Sequence, residues 1–143
     1  MYWYIGIGLL VAVLGVFIYR RYKMFAPAFD KDAKDSEKLI KLTDKNFKAY
    51  TKQGISLVDF WAEWCQPCKL QGPVVSQLAD ELSANGVKIC KLDVEKNQKI
   101  SHELGIKSIP TIIIFKNGKP IEQFVGLKGK SFLMKAMKKA IEK

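Results

Sequence analysis

Two cysteines three positions apart, Cys65 and Cys68, carry the most specific chemical signal in the chain. They stand in Trp64-Cys65-Gln66-Pro67-Cys68-Lys69, directly after the apolar run Ile55 to Ala62 and before a helical pattern. A dithiol at a strand-to-helix junction can close into a disulfide and reopen, passing two electrons each time. The same spacing could form half of a metal site. A structural zinc needs about four ligands, and beyond this pair only Cys90 and His102 are soft candidates, neither of them paired. A third group bears on the chemistry. Asp59 interrupts an otherwise apolar strand, a costly place for a carboxylate unless it is paired or neutral.

The surrounding pattern is that of an α/β domain. Leu39 to Leu42 is a short strand candidate, and Thr43 is a plausible cap, with Asp44 in the first turn, for a helix through Phe47 and Tyr50. Ile55 to Ala62 is apolar on both faces apart from Asp59, as a central strand is. Cys65 then falls at the mouth of a helix, where amide donors and the positive dipole end favour a thiolate, while Cys68 lies a turn further in and more shielded. Pro67 suits a first turn, whereas Pro73 sits inside the helical pattern and should kink it. The helix runs through Val74, Val75, Leu78 and Leu82 towards Asn85-Gly86.

Val87 to Val94 alternates as a second strand, parallel to the first because a long helix joins them. A short helix spans Asn97 to Leu104. Pro110 precedes the strand Ile112 to Phe115, and Asn117-Gly118 marks a hairpin returning through Val125. Lys130 to Ile141 reads as an amphipathic helix with Phe132, Leu133, Ala136, Met137 and Ala140 facing in. Layers of helix, mixed sheet and helix follow. Cys90, between Ile89 and Lys91, reads as an inert strand residue, and His102 as a helix surface residue.

Bulk properties limit the function classes. The 143 residues suit one domain plus an accessory segment, and three cysteines are too few for a disulfide scaffold. The formal charge is +10, but no arginine follows Arg21, and scattered lysines argue against nucleic-acid binding. Residues 1–19 carry no charged side chain, and Ile5 to Ile18 are almost wholly apolar, flanked by Trp3 and by tyrosines 2, 4, 19 and 22. This composition predicts an uncleaved transmembrane anchor over 1–19, since a cleaved signal peptide would show a basic start and a small-residue cleavage site. Arg20, Arg21 and Lys23 then predict a cytoplasmic domain by the positive-inside rule, an extracytoplasmic one being the alternative. Residues 20–38 read as a juxtamembrane basic segment and tether, with a short helix after Phe29 left open, and 39–143 as the redox domain.

Val58-Asp59-Phe60-Trp61-Ala62-Glu63-Trp64-Cys65-Gln66-Pro67-Cys68-Lys69 resembles the active-site signature of the thioredoxin family. Ile109-Pro110-Thr111 is similar to that family's cis-proline loop, and Phe115 to Gly118 with Val125-Gly126 to its closing hairpin. The likeness runs from about Leu39 to the C-terminus and implies a thioredoxin fold. It implies that Cys65 is the nucleophile and Cys68 the resolving thiol, with Asp59 a buried acid of raised pKa and Lys91 its neighbour. It implies a cis Pro110 that faces the cysteines and keeps metal away. Trp64, Pro67, Ile109, Val125 and Gly126, with Pro110, would form a flat apolar patch for extended substrates, and Trp61 would pack against the active-site helix.

Two positions depart from the pattern. Gln66 stands where glycine is usual, and Ser108 where glycine often precedes the Ile-Pro pair. The implied activity is reduction of protein disulfides by a monomer that needs no cofactor beyond its dithiol, supplied by a thioredoxin reductase or, outside the cytoplasm, by a membrane electron carrier. A partner-specific extracytoplasmic oxidoreductase, for example in cytochrome maturation, and a redox-inert scaffold using the apolar patch are the competing readings.

Overall fold

The computed structural model describes residues 2–25 and 34–142. The chain divides into two compact units, Met1–Asp32 and Ala33–Lys143. The first contains the helix α1 (Tyr2–Phe25). The transmembrane anchor expected over residues 1–19 is overturned: among the described residues no helix is both long and apolar enough to cross a membrane. The sidedness drawn from Arg20, Arg21 and Lys23, the cytoplasmic placement, the membrane attachment and the membrane electron carrier fall with the anchor, because each presupposed a spanning helix. The expectation of a short helix after Phe29 falls on residues 26–33, outside the described residues.

The second unit is built on a five-stranded sheet in the order β1-β3-β2-β4-β5. Its strands are β1 (Ile40–Leu42), β2 (Ile55–Trp61), β3 (Lys88–Asp93), β4 (Thr111–Lys116) and β5 (Lys119–Val125). β1, β3 and β2 are parallel, and β2, β4 and β5 antiparallel. Side chains alternate across a strand, so β2 feeds two cores. Leu57 joins Ile89, Ile112 and Ile114 beneath α3 (Gln66–Leu82) and α5 (Lys130–Glu142), which supply Val75, Leu78, Leu133 and Met137. Val58 and Phe60 join Cys90, Leu92, Ile113 and Phe115 on the opposite face, under Phe47 of α2 (Phe47–Thr51) and Ile100 of α4 (Gln98–Glu103). The continuous apolar run of β2 is thus explained by a helical layer on each side. The hairpin forms at Asn117 and Gly118, whose φ angles of 51° and 81° lie in the left-handed region.

Three local expectations give way to tertiary contacts. Thr43 does not cap α2: Asn46 occupies that position and makes no side-chain cap hydrogen bond. Asp44 instead accepts from the Ile100 amide at 2.9 Å, serving the start of α4 more than fifty residues on. Phe132 is not inward; it is 48% exposed and stands edge-on to Phe124, with ring centroids 5.0 Å apart.

Candidate functional site

β2 ends at Trp61, and two turns of backbone bonding carry the chain into α3. The Cys65 amide donates to the Ala62 carbonyl at 3.2 Å, and the Lys69 amide to the Cys65 carbonyl at 3.2 Å. Cys65 is the N-cap of α3, with an extended backbone, and its Sγ accepts from the Cys68 amide at 3.3 Å. Pro67 occupies the first turn, where a missing N–H costs no helical bond. The helix N-terminus therefore directs an amide donor and its positive dipole end at one sulfur, which stabilises a thiolate there. The two cysteines are joined as a disulfide with Cα atoms 5.2 Å apart. Cys68 is not the more shielded of the two in this oxidised state, since each is 3% exposed. What separates them is the Cys65 cap position. Pro73 lies inside α3 as the sequence implied.

The cysteines form a small cluster with Ala62, against which Trp61, Val94 and Ile109 pack. The Ile109–Pro110 peptide is cis, and the Pro110 carbonyl accepts from the Gly126 amide at 2.8 Å. The structure thus brings Ile109 to the cysteines, and Gly126 to Pro110. Trp64, Pro67 and Val125 are exposed. Trp64 is turned by its indole N–H, which donates to Glu95 Oε1 at 2.8 Å. Gln66 and Ser108, the two departures from the family pattern, are both exposed.

Asp59 is 2% exposed, and its Oδ1 has no hydrogen-bond partner. The register sets it between Lys91 of β3 and Ile112 of β4. Burial raises its pKa from the ordinary 3.8 to about 7, and the Lys91 charge pulls the other way. A carboxyl group with that pKa exchanges a proton in the neutral range. The Lys91 ammonium lies 4.8 Å from the centroid of the Trp61 ring and forms its ion pair with Asp35. Cys90 is wholly buried on the opposite face of the sheet, its thiol pushed up to about 12 by burial.

Two contributors were not anticipated. Gln71 is fully buried in α3; its Nε2 donates to the Lys128 carbonyl at 3.0 Å, and its Oε1 accepts from the Lys128 amide at 2.8 Å. It fastens the Gly126–Gly129 loop, and so one end of the apolar patch, to the active-site helix. A lone glutamine in a helical pattern gives no hint of this. Asp35 is the other, in a charged stretch that composition alone marks as solvated.

A CxxC disulfide capping a helix after a central strand that carries a buried acid, beside a cis-proline loop, defines a thiol-disulfide oxidoreductase of α/β architecture. Comparison with known proteins agrees. The family model described as Thioredoxin matches residues 38–139. The thioredoxin of Bacillus subtilis is 42% identical over 101 residues, spanning 71% of this chain and 96% of that protein. The thioredoxin of Staphylococcus aureus is 40% identical over the same shares. The crystal structure of a thioredoxin from Malassezia sympodialis superposes with a TM-score of 0.65 at 34% identity, covering 71% of this chain and 90% of that one. The chain belongs to the thioredoxin family. Its Cys65–Cys68 pair is the redox centre, and the protein is a disulfide reductase.

Proposed function

We propose that the chain reduces protein disulfides by two successive exchanges with Cys65 as nucleophile and Cys68 as resolving thiol. The observation that carries the assignment is the hydrogen bond that the Cys68 backbone amide donates to Cys65 Sγ at the cap of α3. In the reduced protein the Cys65 thiolate attacks one sulfur of a substrate disulfide. A Cys65–substrate disulfide forms, and the first substrate thiolate leaves. Cys68 then gives up its proton and attacks Cys65 Sγ. The Cys65–Cys68 bond forms, and the second substrate thiolate leaves. Two electrons have moved from the dithiol to the substrate. Asp59, buried and proton-exchanging near neutrality, accepts the Cys68 proton.

The exposed rim around the cysteines suits an extended apolar peptide. Trp64, Pro67 and Val125 offer apolar surface, and the half-buried Ile109 offers its backbone for strand-like pairing. Insulin reduction tests the assignment. Cys65→Ser is expected to fall to the uncatalysed rate, and Cys68→Ser to accumulate an insulin adduct that a dithiol reductant releases. Full turnover by Cys65→Ser, or an adduct on that variant instead, would overturn it.

A further inference from the structure

Three ionisable side chains lie in one row across the sheet. The register sets Lys41 beside Lys91, and Lys91 beside Asp59. Asp59 is enclosed, yet the ion pair of Lys91 points the other way, to Asp35. Asp35 is 31% exposed and Lys91 15%, a partly sheltered pair that water screens incompletely. A second lysine, Lys41, approaches the same Asp35 oxygen at 3.8 Å. The segment bearing Asp35 is held in place. The Ser36 amide donates to Ser76 Oγ of α3 at 2.9 Å, and Ser36 Oγ donates to Asp80 Oδ1 at 2.6 Å.

We infer that Asp35 is a positioning residue for the redox centre: it draws the Lys91 ammonium outward and offsets its field at Asp59. The inference rests on Asp59 being the proton acceptor for Cys68. The sign is the same by either route. A positive charge beside Asp59 favours its carboxylate; a carboxylate on the far side of that ammonium cancels part of the effect and adds like-charge repulsion of its own. On β4 the register partner of Asp59 is Ile112, and α3 and α5 contribute Val75, Leu78, Leu133 and Met137 to the apolar core that Leu57 joins two residues earlier on β2. Cys68, at the start of α3, is bonded to Cys65 in the oxidised state. Lys41 and Asp35 act through Lys91.

The test is the pH profile of insulin reduction from pH 5 to 9, on the full chain, for wild type, Asp35→Asn, Asp35→Glu, Asp59→Asn and the double Asn variant. Asp35→Asn is expected to move the inflection due to Asp59 down by roughly 0.5–1 pH unit, and Asp35→Glu to restore it. In the Asp59→Asn background, Asp35→Asn should change nothing further. A superimposable Asp35→Asn profile overturns the inference, as does a shift that persists without Asp59. So does a lowered thermal midpoint with an unmoved inflection, which would leave Asp35 a structural contact alone. Asp59→Asn leaving the wild-type inflection in place would instead overturn the acceptor role of Asp59 beneath it.

Discussion

Replacing Asp59 with Asn should stabilise the oxidised protein, and increasingly so as the pH rises. In the fold the carboxyl titrates at about 7 rather than at its ordinary 3.8, chiefly because burial disfavours its charge. A raised acid pKa means that the folded state holds a proton the unfolded chain has already lost. Below pH 4 both states are protonated, and the group costs nothing. Between about pH 4 and 7 stability falls with each unit, and above 7 the full penalty stands. The gap between 3.8 and about 7, at about 1.4 kcal/mol per unit, sets that penalty at roughly 4 kcal/mol. Asn has similar size and no charge, so the variant escapes it. The assay is urea unfolding of both oxidised proteins at pH 5 and pH 8.5. Its advantage in unfolding free energy should grow by about 3 kcal/mol between those two pH values. An advantage that stays flat with pH, or shrinks, would refute the reasoning, because it would mean that Asp59 ionises in the fold as it does in the unfolded chain.

Two further outcomes follow from the site. Pro67 and the cap geometry at Cys65 are retained although Gln66 replaces the usual glycine, so the dithiol potential should lie nearer about −270 mV than −120 mV; a glutathione-equilibrium value well above about −200 mV would contradict this. Cys90, with its thiol buried and pushed up to about 12, should resist iodoacetamide at pH 8 in the native oxidised protein and react once urea unfolds it; labelling of the folded chain would show that β3 opens.

The residues that do chemistry were legible because their signals are short-ranged. The Trp64 to Lys69 hexapeptide, the Asn117-Gly118 turn and the alternation along β3 each depend on neighbours a few positions away. For β2 the sequence also implied its depth in the sheet, since an uncharged run on both faces needs cover on both. Asp59 stood out for the same reason, as the exception within that run. These features determined the class of fold, the redox pair and the buried acid before any contact was known.

Other features exist only through contacts that cross the chain. Asp44 reads locally as part of one helix start but serves another, because α4 packs beside it. Gln71 becomes a fastener only when the Gly126–Gly129 loop is brought to α3. Phe132 fits the inward face of a helical wheel, yet it lies out on the surface beside Phe124. An apolar N-terminal run suggested an anchor from composition, but no described helix meets the length and apolarity that crossing a membrane requires. The pairing of Asp35 with Lys91, across 56 residues of sequence, belongs with these. Composition and periodicity report what a segment can bury. Which charge meets which is decided by the order of the strands and the layer packed above them.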